Sequence, residues 1–247
     1  MHVKGKTALV TGASRGIGAA IARTLAAEGA AVAVNYHHSE GPAREVVADI
    51  LKAGGRAIAL QGDARNPSEL SAVTERVKAE LGPIDVFVLN ASISFPVKGF
   101  LEYPWEAFEA KLLGEMGAAF HGCRAVLPQM IEQKGGSIVA ITSGLARTPG
   151  FGFCAHSAAK AALEGFVRAL ALELGPMGIQ VNAVAPGLTL TDATAFLPEA
   201  HKQATAEHTP LRRNGKPQDV AEAVLGILRS GFVTGTTLPV NGGIQVN

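Results

Sequence analysis

Thr7-Ala8-Leu9-Val10-Thr11-Gly12-Ala13-Ser14-Arg15-Gly16-Ile17-Gly18 is the stretch that decides the fold. Its first residues form a short apolar run with β-branched Thr and Val, which predicts a strand over 7–11. The glycines follow at Gly-x-x-x-Gly-x-Gly spacing, and helical apolar periodicity begins at once over 16–28. A strand that turns on glycines into a helix brings backbone N–H groups and the positive end of a helix dipole to one point. That is what a dinucleotide pyrophosphate requires. Gly12, Ser14, Arg15, Gly16, Ile17 and Gly18 are therefore candidate phosphate-binding residues.

Outward from this loop, apolar runs recur at 31–35, 57–60, 85–89, 137–142, 179–184 and 237–240. Helical spacing fills 42–53, 67–80, 105–132, 156–174 and 217–229 between them, with Pro67 and Pro217 near first turns and Gly29, Gly54 and Gly175 at exits. Strands such as Val86-Phe87-Val88-Leu89 are apolar on both faces, as parallel strands covered by helices must be. The expected fold is α/β, a Rossmann-type doubly wound parallel sheet of about seven strands with helices on both faces. Residues 1–247 are read as a single NADP-binding domain, and the irregular stretch 187–214, with a Thr-rich turn and a short helical patch, as a substrate lid.

Composition narrows the class. With 22 Lys+Arg against 21 Asp+Glu the formal charge is +1, and no basic stripe is present, so neither nucleic acid nor a membrane surface is an expected partner. Met1-His2-Val3-Lys4-Gly5-Lys6 leads straight into a strand without a signal-type apolar region, so a cytoplasmic protein is expected. The 2 cysteines, Cys123 and Cys154, stand in no ligand-like spacing; no metal site is expected.

About twenty residues past the loop, where an acidic side chain would bind the ribose diol of NAD, the chain reads Asn35-Tyr36-His37-His38-Ser39. No carboxylate is there to repel a phosphate. Asn35, Tyr36 and Ser39 are candidate contacts, and together with Arg15 they favour NADP(H) over NAD(H).

Three motifs in order carry a resemblance: Thr11 to Gly18, Asn90-Ala91-Ser92 after the fourth strand, and Pro186-Gly187 after the sixth. Over essentially its whole length the chain resembles the short-chain dehydrogenase/reductase family. Val181-Asn182-Ala183-Val184-Ala185-Pro186-Gly187 and the ending Thr234 to Gly243 are most similar to the 3-oxoacyl-(acyl carrier protein) reductases of fatty acid or polyketide biosynthesis. The resemblance implies that Asp63 and Ala64 border the adenine, that Asn90 and Ala91 lie at the ribose with Ser92 a further cofactor contact, and that Pro186, Gly187, Thr189 and Thr191 lie at the nicotinamide.

The family motif Tyr-x-x-x-Lys is broken. Cys154-Ala155-His156-Ser157-Ala158-Ala159-Lys160 keeps the Lys, and Ser143 keeps its place thirteen residues before His156, but His replaces the Tyr that donates a proton to the carbonyl. The resemblance makes Ser143 the hydrogen-bond donor to that carbonyl and Lys160 the ribose anchor. A further family residue, an Asn in the long central helix, is replaced by Glu115. An imidazole is shorter than a phenol, and a misplacement of about 1 Å can cost on the order of a hundredfold in rate, so a bridging water is one route for the proton. Lys160 would disfavour imidazolium and Glu115 would favour it; the sequence leaves the sign of the sum open.

Three functions follow from these residues. The first is an NADP(H)-dependent ketoreductase acting on a 3-oxoacyl thioester or related ketone through Ser143, His156 and Lys160. The second is a catalytically weak homologue serving as partner subunit in a mixed oligomer. The third is non-redox chemistry with Ser143, His156 and Glu115 as nucleophile, base and orienting acid, although Ile141-Thr142-Ser143-Gly144 lacks a nucleophile elbow. Phe151, Phe153, Phe196 and Leu197 offer an apolar wall for substrate, and Lys134, Arg212 and Arg213 could form a basic entrance for a carrier protein. Small residues on helix 157–174 suit close packing against another helix. With the resemblance they point to a homotetramer, or to a mixed tetramer with a homologue.

Overall fold

The computed structural model describes residues 3–245. Its strands are β1 (Thr7–Val10), β2 (Ala31–Tyr36), β3 (Arg56–Gln61), β4 (Val86–Leu89), β5 (Gly136–Ile141), β6 (Ile179–Pro186) and β7 (Thr237–Val240). The α-helices are α1 (Gly16–Ala27), α2 (Glu40–Lys52), α3 (Pro67–Glu80), α4 (Trp105–Glu132), α5 (Cys154–Leu174), α6 (Glu199–His208) and α7 (Pro217–Arg229). All neighbours in the 7-stranded sheet are parallel, in the order β3-β2-β1-β4-β5-β6-β7. The chain therefore has the Rossmann-type α/β fold, and the order reverses between β1 and β4, where a crevice opens at the strands' carboxyl ends.

Period-two alternation sorts the strand side chains into two cores. Ala8, Val10, Val86, Val88, Val139 and Ile141 face α1, α2 and α7. Leu9, Phe87, Leu89, Ile138 and Ala140 face α3, α4 and α5. α4 lies close on the sheet at Gly122, where an added Cβ would stand 2.7 Å from the Phe87 ring. The buried face of α4 runs Lys111, Glu115, Ala118, Ala119, Gly122, Cys123, Val126, Gln129, Met130, so its lower turns are uncharged and its upper turns carry two opposite charges. That change falls where α4 passes the crevice.

One boundary near the site differs from the expected one. α5 begins at Cys154, two residues before the predicted start, which puts His156 in its first turn. Within 187–214 the Thr-rich turn and the short helical patch are a 3-10 turn at Asp192–Thr194 and the helix α6. No helix among the described residues is long and apolar enough to cross a membrane, and they hold no group of three or more metal-ligating side chains. Cys123 and Cys154 are both free.

Candidate active site and dinucleotide cleft

The crevice floor is stitched together by Thr11 and Asn90. The Thr11 hydroxyl accepts from the backbone N–H groups of Asn90 (3.0 Å) and Ala91 (3.1 Å). In return, Asn90 Nδ2 donates to the carbonyls of Thr11 (2.9 Å) and Gly12 (3.0 Å). Glycine is required in this loop on two counts. Gly12 has φ +59°, and a Cβ there would sit 2.9 Å from Ala91 Cα; at Gly18 it would fall 2.4 Å from Asn90 Nδ2. No side chain caps the start of α1, so its first N–H groups face the crevice unspent.

Arg15 precedes α1 and donates to Ser39 Oγ at 2.7 Å, so the two residues expected to receive a 2′-phosphate do meet. The same guanidinium lies 3.8 Å from Asp192 Oδ2 in the segment 187–214, and the methyl of Thr191 approaches the position a Cβ on Gly16 would take, at 3.5 Å. A cleft of about 500 Å³ bordered by Ser14, Arg15, Gly16, Arg23, Glu45 and Asp192 lies alongside. Asn35 and Tyr36 are turned inward. Asn35 is 1% exposed, and its amide donates to the carbonyls of Gly62 (2.9 Å) and Leu60 (3.3 Å), which braces the connection after β3. Asp63 takes paired hydrogen bonds from Arg65, which hold its carboxyl at about 2, below the usual carboxylate value. Ala64 is buried beside it. At the other end, Gly187 N–H donates to the Val240 carbonyl (3.0 Å) and Thr189 Oγ1 to the Gly187 carbonyl (3.2 Å).

Lys160 sits on the second turn of α5 and is buried. Its ammonium donates to the Ile141 carbonyl at 2.9 Å, two residues before Ser143, and to Glu115 Oε2 at 3.0 Å. Ser143 Oγ accepts from Leu145 N–H at 3.2 Å, so its own proton stays available for a ligand. Glu115 is the centre of a buried cluster. Its Oε1 accepts from Lys111 Nζ (2.5 Å), the Ser92 hydroxyl (2.6 Å) and Ile93 N–H (3.1 Å). Lys111 also donates to Ser92 Oγ (3.0 Å) and the Ile93 carbonyl (2.7 Å), and its Nζ stands 4.7 Å from the centroid of Phe95. Burial would raise the Glu115 carboxyl, but the ammonium groups of Lys160 and Lys111 outweigh it and hold it well below the usual range.

His156 stacks on that same Phe95 ring, centroids 4.7 Å apart and planes 19° from parallel, with Phe153 edge-on at 6.5 Å. Its Nδ1 is buried with no hydrogen-bond partner. Burial first, then the charges of Lys160 and Lys111, push the imidazole down to about 3, with Glu115 opposing. Burial and the two ammonium groups together favour the neutral imidazole near pH 7. Among the described residues no carboxylate is hydrogen-bonded to it, and Glu115 is bonded to the two lysines.

Lys111 and Phe95 escape the sequence reading. A lysine in a helix reads as solvated surface, and the available signal was its place four residues before Glu115 on one face with Ala118, Ala119 and Gly122. Of the expected apolar wall, Phe153 packs into the site beside Phe95, whereas Phe151 and Phe196 are exposed.

A family model described as enoyl-(acyl carrier protein) reductase matches residues 12–245. The chain is 38% identical to L-rhamnose 1-dehydrogenase (NAD(P)(+)) of Sphingomonas sp. (strain SKA58), covering 99% of this chain and 98% of the relative. It is 37% identical to 3-oxoacyl-(acyl-carrier-protein) reductase FabG of Escherichia coli (strain K12) over 100% of both. Among solved structures, a short chain dehydrogenase from Burkholderia cenocepacia J2315 in complex with NADP superposes with TM-score 0.90 at 38% identity, covering 100% of each chain. A 7α-hydroxysteroid dehydrogenase complexed with NADH and 7-oxo glycochenodeoxycholic acid superposes with TM-score 0.92 at 36% identity, covering 100% of this chain and 97% of the other. This chain belongs to the short-chain dehydrogenase/reductase family. Its relatives are NAD(P)-linked oxidoreductases of carbonyl and hydroxyl compounds, and near-equal identity to sugar, acyl and steroid enzymes leaves the substrate to be read from the site.

Proposed function

We propose that this chain is an NADP(H)-dependent ketoreductase of the 3-oxoacyl-(acyl carrier protein) reductase type, acting on a 3-oxoacyl thioester or related ketone through Ser143, His156 and Lys160. The observation that carries the reading is the alignment of an intact dinucleotide cradle with a tethered pair. The Gly12–Gly18 loop leaves room for a close backbone approach, and Lys160 is bonded to the strand end that bears Ser143.

These residues fit the cofactor, which when bound supplies the hydride. Gly12, Ser14, Arg15, Gly16, Ile17 and Gly18 would hold the pyrophosphate, Arg15 and Ser39 a 2′-phosphate, with Asn35 and Tyr36 shaping that end. Asp63 and Ala64 would flank the adenine, Asn90, Ala91, Ser92 and Lys160 the ribose, and Pro186, Gly187, Thr189 and Thr191 the nicotinamide. Ser143 donates its free hydroxyl proton to the substrate carbonyl. His156 is neutral, and a proton on Nδ1 would be a buried donor without acceptor, so the proton belongs on Nε2, where it serves as a second donor. A neutral imidazole is a poor acid but an effective polarising group, and the alkoxide takes its proton from water. The ammonium of Lys160 stabilises the negative charge at that oxygen. Residues 187–214, whose Thr191 and Asp192 touch the phosphate loop, close over the site. Exposed Leu113, Phe120 and Leu172 on the outer faces of α4 and α5 support a tetramer, homomeric or mixed.

The neutral imidazole favours a second reading, in which turnover is weak and the chain supports an active homologue in a mixed oligomer. Ser/His acyl chemistry is disfavoured, because no hydrogen bond joins Ser143 to His156 among the described residues and Glu115 is bonded elsewhere. The test is NADPH oxidation with a short 3-oxoacyl thioester from pH 5 to 9. The reductase reading expects the parent to exceed His156→Ala at least tenfold, with no rise in rate toward pH 5. A silent parent with an active His156→Tyr variant would establish the second reading instead.

A further inference from the structure

The reductase chemistry uses Lys160 and leaves a second buried ammonium, Lys111, without a role. Lys111 is 0% exposed and Glu115 3%. Burying an ion pair is costly, and such a pair contributes little net stability compared with apolar side chains of similar size. A pair sunk into the top of α4 therefore calls for an explanation in the site it faces. Counted as charges, Glu115 alone would cancel Lys160, and Lys111 restores one positive charge to the cluster of three.

We propose that Lys111 is a positioning residue of the active site. By binding Oε1 of Glu115 it keeps that carboxylate from cancelling Lys160, so the position of residue 156 and the substrate oxygen beside it feel one uncompensated positive charge. The charged groups acting on His156 are Lys160 from its own helix and Lys111 and Glu115 from α4. From the segment after β4 and the turn before α5, the groups packed against His156 are the uncharged rings of Phe95 and Phe153. Lys111 also touches Phe95, the ring on which His156 stacks, so its field reaches the imidazole through that uncharged ring. The site then stabilises an oxygen that becomes anionic during reaction, which suits a ketone reduced to an alkoxide.

The catalytic benefit rests on the reductase reading; the charge arrangement is testable without it. In a His156→Tyr background the phenol reports the local field through its ultraviolet absorbance on ionisation, and Tyr36 and Tyr103 are present in every form and subtract out. Burial pulls the Lys111 ammonium down to about 8, so it titrates together with the phenol, and Lys111→Met is expected to raise the phenol's midpoint by up to about one pH unit, since phenolate loses a favourable charge. Lys111→Arg should hold the midpoint at or below that of the Lys111 form. Lys111→Met combined with Glu115→Gln removes one charge of each sign and should return it to that value, and it keeps the test alive if the single Met variant does not fold. An unmoved midpoint in Lys111→Met, or equal shifts in the Met and Arg variants, would overturn the proposal. In a parent that turns over, Lys111→Met should lower kcat about tenfold at unchanged KM, with rescue by Lys111→Arg. Should the parent be inactive, the absorbance titration still decides, and the failure belongs to the reductase reading alone.

Discussion

Lys160 Nζ lies 3.0 Å from Glu115 Oε2, a bond that joins α5 to α4 through the floor of the candidate active site. Glu115 answers two lysines at once, so losing its charge would leave two buried ammonium groups facing one another. Glu115→Ala is expected to destabilise the fold by about 3–5 kcal/mol. Thermal unfolding followed by circular dichroism checks this; a melting temperature within a degree of the parent would show that the cluster is not paired as described.

Stability should fall on the acid side because of His156. Its folded value of about 3 lies below the ordinary imidazole value of 6.5. Between those pH values the unfolded chain binds a proton that the folded chain does not. The contribution is therefore present above about 6.5 and is lost as the pH drops toward 3. His156→Phe keeps the stack on Phe95 and has no proton to take up, so its acid unfolding midpoint should lie lower than the parent's. Superimposable acid transitions would contradict the neutral imidazole.

Gly18→Ala tests the cradle. A methyl there would collide with Asn90 Nδ2 and with the Gly12 carbonyl, at 2.4 and 2.6 Å, so the phosphate loop must shift. NADPH affinity, read from nicotinamide fluorescence, should drop at least a hundredfold, since a displacement of about 1 Å already costs that much in a positioned site. Unchanged affinity would place the cofactor elsewhere.

Arg15 and Ser39 should separate the two dinucleotides. Arg15→Gln with Ser39→Asp removes a cation and adds a carboxylate where a 2′-phosphate would lie. NADPH should bind about a hundredfold more weakly while NADH holds or gains. Parallel losses for both cofactors would mean that the pair only shapes the loop.

The exposed apolar residues of α4 and α5 make a prediction about assembly. Phe120 and Leu172 are 50% and 82% exposed. Phe120→Glu with Leu172→Lys should convert a tetramer to smaller species in light scattering after size exclusion, with the monomer fold kept.

Much of the fold is legible in the sequence because parallel strands covered on both faces must be apolar throughout, and runs such as Ile138-Val139-Ala140-Ile141 admit no other placement. The start of α5 is less so. Cys154 and Ala155 are small residues without a capping signal, and Phe153 at the helix entry makes no side-chain cap bond. Ser143 and Lys160 are singled out by the family resemblance, and the structure ties Lys160 to the strand end before Ser143. The charge state of His156 is not legible at all, since it depends on summed burial and on Lys111, a residue whose type ordinarily signals solvent.

Gly122 lies seven residues beyond Glu115 on α4, about 10 Å along the axis, where the helix rests on Phe87. Gly114, beside Glu115, makes a second such approach, where a Cβ would stand 2.8 Å from Ile93 Cγ1. The two missing methyls let α4 lie close to its neighbours on either side of Glu115, so contacts that hold no charge help to bury the charged pair.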